Sequence, residues 1–88
     1  MEVTQVRVFP VGEERLKAYA TIVLDDCFLV RNLRLIQGKK GLFVAMPNRR
    51  TKEGSYRDVA HPITRDLRER IERAVIEAYE QLRGSEDF

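Results

Sequence analysis

The sequence predicts an α+β fold: a small antiparallel β-sheet of about five strands, followed by one C-terminal amphipathic α-helix. Three observations carry this expectation. Residues 16–24 alternate in character, with Leu16, Ala18, Ala20, Ile22 and Leu24 separated by Lys17, Tyr19, Thr21 and Val23; a period of two marks a strand with one buried face. Leu67, Ile71, Ala74, Val75, Ala78 and Leu82 recur at helical spacing and form one apolar stripe. Between the strand-like segments stand turn-forming groups, Gly12-Glu13-Glu14, Asp25-Asp26 and Gly38-Lys39-Lys40-Gly41.

The first element is a β-branched segment containing Val3, Val6 and Val8, which stops near Pro10. The second is the alternating strand. Asp25-Asp26 suits a tight turn, so the second and third strands are expected to form a hairpin. In the third, near residues 28–36, Phe28 and Val30 share a face, but the pattern then shifts to Leu33 and Leu35. A one-residue slip would turn every later side chain over, and a bulge near Arg31-Asn32 would absorb it.

Leu42-Phe43-Val44-Ala45-Met46 is a short apolar run, expected to be a strand covered on both faces. Pro47 ends it, because proline lacks the ladder donor. Residues 48–55 hold no large apolar side chain and read as an exposed loop, and residues 56–60 as a short returning strand. Thr64 is the expected N-cap of the helix, with Asp66 in the first turn. Asp66 with Arg70, and Glu69 with Arg73, are i,i+4 pairs. Ile76 falls opposite the apolar stripe. Gly84 is the expected stop, giving one domain over residues 1–84 and a frayed tail over 85–88.

Composition narrows the function classes. A chain of 88 residues buries only about 60–65% of its unfolded surface, so its core is thin. The single cysteine, Cys27, can form no intrachain disulfide, and the single histidine, His61, leaves no His/Cys metal cluster. A second copy of the chain is the remaining source of added stability. The N-terminal residues have an early acid and no apolar core of a signal peptide. No apolar run approaches the ~20 residues that span a bilayer. A cytoplasmic location is therefore expected.

Charge is uneven. Formal net charge is +2 overall, yet residues 27–57 hold Arg31, Arg34, Lys39, Lys40, Arg49, Arg50, Lys52 and Arg57 against Glu53 alone, while both flanking thirds are net acidic. Such a middle third is a candidate anion-binding footprint. Its centre is Arg49, Arg50 and Lys52, with Lys39 and Lys40 in the preceding turn and Arg57 just beyond. Arginine forks match phosphate oxygens bidentately. The competing explanation is a solvated cluster that serves solubility, and aromatic residues nearby are limited to Phe43 and Tyr56. On the helix, Arg65, Arg68, Arg70 and Arg73 are interleaved with acids, which suits an ion-paired solvent face better than a DNA-reading one. His61 with Asp58 is the one hint of acid–base chemistry. No nucleophile stands at a recognisable spacing from it, and Cys27 reads as a packing residue. No catalytic residue and no cofactor is assigned.

The order of residues 41–63 goes further. Gly41-Leu42-Phe43-Val44-Ala45-Met46-Pro47 is followed by Arg49-Arg50-Thr51, then Gly54, then Tyr56-Arg57-Asp58-Val59-Ala60-His61-Pro62-Ile63. This order resembles the signature of the SpoVG (stage V sporulation protein G) septation-regulator family. Met1-Glu2-Val3-Thr4, Ala20-Thr21-Ile22-Val23-Leu24-Asp25, Phe28-Leu29-Val30 and Leu33-Arg34-Leu35-Ile36 are similar to it as well. Asn48 and Lys52 depart from it, where serine and proline are common. The resemblance implies a cytoplasmic bacterial regulator of septation and sporulation that is no enzyme. It would act as a homodimer that binds DNA or RNA through the basic loop and the C-terminal helix. A protein–protein adaptor of cell division, its basic loop set against an acidic partner, is the alternative.

Overall fold

The structure, a computed structural model, describes the backbone of residues 1–86 and the side chains of residues 1–82. Four antiparallel strands form a meander in the order β1-β2-β3-β4: β1 Val3–Pro10, β2 Leu16–Leu24, β3 Phe28–Gly38 and β4 Gly41–Ala45. Two short strands, β5 Asn48–Arg50 and β6 Tyr56–Asp58, pair in a separate sheet, and α1 Arg65–Glu86 follows. The expected α+β architecture is thus present, with six strands in two sheets among the described residues.

Register follows from three irregularities. In β3, Val30 lies opposite Ile22 and Leu33 opposite Ala20, so one extra residue is accommodated at Arg31-Asn32. Asn32 takes φ 66° there, a left-handed conformation that Asn tolerates better than most residues. The bulge restores Leu33 and Leu35 to the face of Val30, as the sequence pattern requires. A second irregularity falls between Val3 and Gln5, and it keeps Val3 on the same side as Val6 and Val8. A third, between Leu16 and Ala18, leaves Leu16 half-buried and outside the packed core.

The β2–β3 turn carries two left-handed aspartates, Asp25 at φ 49° and Asp26 at φ 54°, closed by the Cys27 amide donating to Leu24 O at 3.0 Å. It is also tied to the start of the chain. The Glu2 amide donates to Asp25 Oδ1 at 2.8 Å, and the Asp26 amide to Thr4 Oγ1 at 2.9 Å. Cys27 is exposed in this turn rather than packed at a strand start, because the positive-φ pair turns the chain before β3 begins.

One face of the sheet forms the core with the helix. Ala18, Ala20, Ile22, Leu24, Leu33, Leu35, Val44 and Met46 are buried against Ile71 and Val75. The helix therefore packs on the sheet of its own chain. Thr64 caps it, accepting from the Leu67 amide at 3.2 Å. Glu72 reaches across to accept from the Val44 amide at 3.3 Å, giving an edge-strand donor a partner.

Several expectations change. Residues 42–46 are covered on one face only: Val44 is buried, while Phe43 points away from the helix and is exposed, because β4 is an edge of a sheet with a single helical layer. Ile76, placed opposite the stripe, is half-buried at the flank of the core together with Tyr79, whereas Leu82 is exposed. The Asp66–Arg70 pair forms at 2.9 Å, but Glu69 turns to Arg65 at 3.7 Å instead of Arg73. The helix runs past Gly84 to Glu86. A glycine inside a helix costs about 1 kcal/mol and does not by itself end it. Ser85 and Glu86 are thus helical, and the rest of the expected tail, residues 87–88, lies outside the described residues. Among the described residues, no helix is long and apolar enough to cross a membrane.

Candidate nucleic-acid interface

Residues 48–55, expected to be a loop, begin with a strand, and the returning strand expected over 56–60 is present at 56–58, so the segment is a β-hairpin. Beyond Met46 and Pro47 the chain enters β5, turns through residues 51–55 and returns as β6, with Asn48 opposite Asp58, Arg49 opposite Arg57 and Arg50 opposite Tyr56. The base is closed by the Val59 amide donating to Pro47 O at 2.7 Å, and the tip by the Thr51 amide donating to Ser55 O at 2.7 Å. Inside the tip, the Gly54 amide donates to Thr51 O at 3.1 Å, and Gly54 has φ +85°. This is a three-residue hairpin turn with a glycine at its left-handed position. Burial does not build it, since most of its residues are exposed. Backbone pairing and turn chemistry do.

Alternation across the hairpin sorts the basic residues. Arg49 and Arg57 are directly opposed on one face, and with Lys52 they line a shallow hollow that also includes Thr51, Glu53, Asp58 and Val59. Arg50 lies on the other face beside Tyr56, which is 70% exposed. The Arg50 guanidinium folds across the turn, so a Cβ at Gly54 would stand 3.6 Å from one of its terminal nitrogens. Four bases against two acids leave the hairpin net positive. Among the described residues, both ion pairs lie within α1, and neither involves Arg49, Arg50, Lys52 or Arg57.

The six sequence-predicted residues thus divide. Arg49, Arg50, Lys52 and Arg57 come together on the hairpin. Lys39 and Lys40 form the β3–β4 turn, where Gly38 pairs with Gly41. The five residues of β4 separate that turn from the hairpin, a distance of about 16 Å at ~3.3 Å per residue. On the helix, Arg65 and Arg70 are engaged with Glu69 and Asp66.

His61 stands apart from this cluster. Its Nδ1 lies 3.1 Å from Pro62 O. The ring lines an apolar cavity of about 230 Å³ with Ile22, Phe28, Met46, Leu67 and Ile71, and Asp58 is not among the lining residues.

The Arg49–Arg57 opposition is what the sequence reading missed. Its signal is Thr51-Lys52-Glu53-Gly54-Ser55, a short glycine-containing turn between two segments of extended chain. Once that turn is recognised, pairing of residue 49 with 57 follows by counting outward from 51 and 55.

Comparison with known proteins matches the SpoVG family model over residues 1–81. Relatives named "Putative septation protein SpoVG" include one from Anaeromyxobacter sp. (strain Fw109-5), 57% identical over 92% of this chain and 84% of its own length. Those of Bdellovibrio bacteriovorus and Myxococcus xanthus are 57% and 52% identical over 92% of this chain, covering 75% and 82% of their own lengths. With a match along nearly its whole length and more than half of the aligned residues shared with these relatives, the chain belongs to the SpoVG septation family.

Proposed function

We propose that this protein is a non-enzymatic bacterial regulator of septation that works in the cytoplasm as a homodimer, binding DNA or RNA through the β5–β6 hairpin. The observation that carries the reading is the Arg49–Arg57 pair. Like charges directly opposed across two strands destabilise a hairpin, and no carboxylate among the described residues pairs with either. A phosphate bound at each guanidinium through a bidentate fork offsets the repulsion. Lys52 at the tip and Arg50 on the other face extend the contact along a phosphate backbone. A thin core supports dimerisation, and a dimer would carry two hairpins, so that two weak contacts act as one stronger one.

The test is fluorescence anisotropy with labelled duplex DNA and RNA at ~50 mM salt, comparing wild type with Arg49→Ala/Arg57→Ala. Binding by wild type and its loss in the variant support the reading. Absence of wild-type binding to both nucleic acids refutes it and favours an adaptor with an acidic protein partner. Light scattering that finds a monomer at micromolar concentration removes the dimer from the proposal.

A further inference from the structure

The face of the main sheet turned away from α1 carries an arrangement that the hairpin does not explain. Phe9 of β1 lies opposite Tyr19 of β2, and Tyr19 opposite Arg34 of β3, so two aromatic rings and a guanidinium form one row across three strands. Adjacent strands stand about 4.8 Å apart, so the row spans roughly 10 Å. Phe9 is 53% exposed and Tyr19 43%. Beside this row, Gln5, Arg7, Thr21, Val23, Leu29 and Arg31 surround a shallow hollow of about 260 Å³, which Phe9 also borders. A cavity of ~150 Å³ already accommodates a benzene ring.

Charge on this face has one sign. The charged residues of β1–β4 are Arg7, Lys17, Arg31 and Arg34, and those four strands contain no Asp or Glu. Among the described residues none of the four is in an ion pair. Exposed aromatic rings among unpaired arginines, without acids, meet the two requirements of single-stranded nucleic acid: π-faces for the bases and cations for the phosphates. A duplex keeps its bases stacked on one another and cannot use the rings. A second copy docked on this face about a two-fold axis would bring the same arginines against one another, because such an interface is self-complementary in position and not in charge.

We propose that the open face of the β1–β4 sheet is a binding platform for single-stranded nucleic acid, with bases stacking on Phe9 and Tyr19 and phosphates held by Arg7, Arg31 and Arg34. It rests on the nucleic-acid reading of the hairpin and deepens it: the hairpin grips backbone phosphates, and the sheet selects unpaired bases.

The test titrates the full chain with three labelled probes, each about 20 nucleotides long: oligothymidylate, an abasic sugar-phosphate chain, and a DNA duplex. Loss of stacking costs about fivefold or more in affinity per base. Phe9→Ala/Tyr19→Ala is therefore expected to weaken oligothymidylate about 25-fold, leaving the abasic chain and duplex within about twofold. Arg7→Gln/Arg31→Gln, which leaves the rings in place, weakens oligothymidylate and the abasic chain alike. Amide shifts of the labelled wild-type protein on adding oligothymidylate are expected at Phe9, Tyr19, Thr21 and Arg34, and they test the platform even where a variant does not fold. The platform is overturned if wild type binds but the aromatic variant loses nothing, or loses all three probes equally with a change of oligomeric state. It is equally overturned if the shifts fall on the hairpin alone; the hairpin reading then survives. If wild type binds none of the probes, both fail together.

Discussion

Salt dependence of duplex binding gives the sharpest quantitative check on the hairpin. Arg49, Arg50, Lys52 and Arg57 are four cations on one projecting element, none engaged in an ion pair among the described residues. If each neutralises one phosphate, the slope of log Kobs against log salt is about −3.6 per engaged hairpin, at ~0.9 per phosphate. Raising salt from ~50 to ~200 mM then lowers affinity roughly 150-fold. Arg49→Ala/Arg57→Ala removes two of the four contacts and brings the slope to about −1.8, so the same change in salt costs only about 12-fold. A dimer that engages both hairpins doubles each slope and keeps their ratio. The assay is anisotropy on one duplex at a series of salt concentrations, with circular dichroism confirming the fold of the variant. A slope unchanged by the double substitution would refute the assignment of these arginines to phosphate contact, whatever the absolute affinity. Lys39→Ala/Lys40→Ala is the internal control. Those lysines sit at the far end of β4, so their removal is expected to leave the slope of a hairpin-only contact unchanged.

Other substitutions separate the parts of the fold. Gly54→Ala places a side chain at φ +85°, costing about 1–2 kcal/mol in the hairpin tip; faster amide exchange at Thr51 and Ser55, with an unchanged thermal midpoint for the main sheet, is the expected result. Leu35→Ala empties a fully buried position and should lower stability by about 3 kcal/mol in urea unfolding, a large share of the roughly 4–13 kcal/mol available to a chain of this size. Thr64→Ala removes the acceptor of the Leu67 amide and should cost about 1 kcal/mol, whereas Thr64→Asp should restore most of it in the same unfolding assay.

Much of the scaffold was legible because burial writes a period into the chain. The β2 alternation placed Ala18, Ala20, Ile22 and Leu24 on one face, and all four are buried. The shift from Val30 to Leu33 revealed a bulge before its geometry was known, since only an extra residue returns Leu33 to the core face. Residues 48–55 were harder to read for the same physical reason. A hairpin that buries no apolar face leaves no hydrophobic period, and its one mark is the glycine that permits a left-handed turn. Ile76 was misplaced because a helix on a four-stranded sheet buries a wider flank than a single stripe suggests.

The sequence by itself determined the four strands of the main sheet and the helix, the core faces of β2 and β3, the turn at Asp25-Asp26, the bulge near Arg31-Asn32 and the family, because each is encoded in local spacing or in an ordered string of residues. Tertiary structure alone decided which basic residues stand together. Lys40 and Arg49 are nine positions apart yet stand at opposite ends of a strand, while Arg49 and Arg57, eight apart, face each other across a hairpin. The same folding set Phe9 beside Tyr19, ten positions apart in the chain, and covered one face of their sheet with a helix. Sequence separation measures contour length, and cross-strand pairing replaces it with a spacing of about 5 Å. A charged or aromatic cluster therefore takes shape only when turns and registers are known.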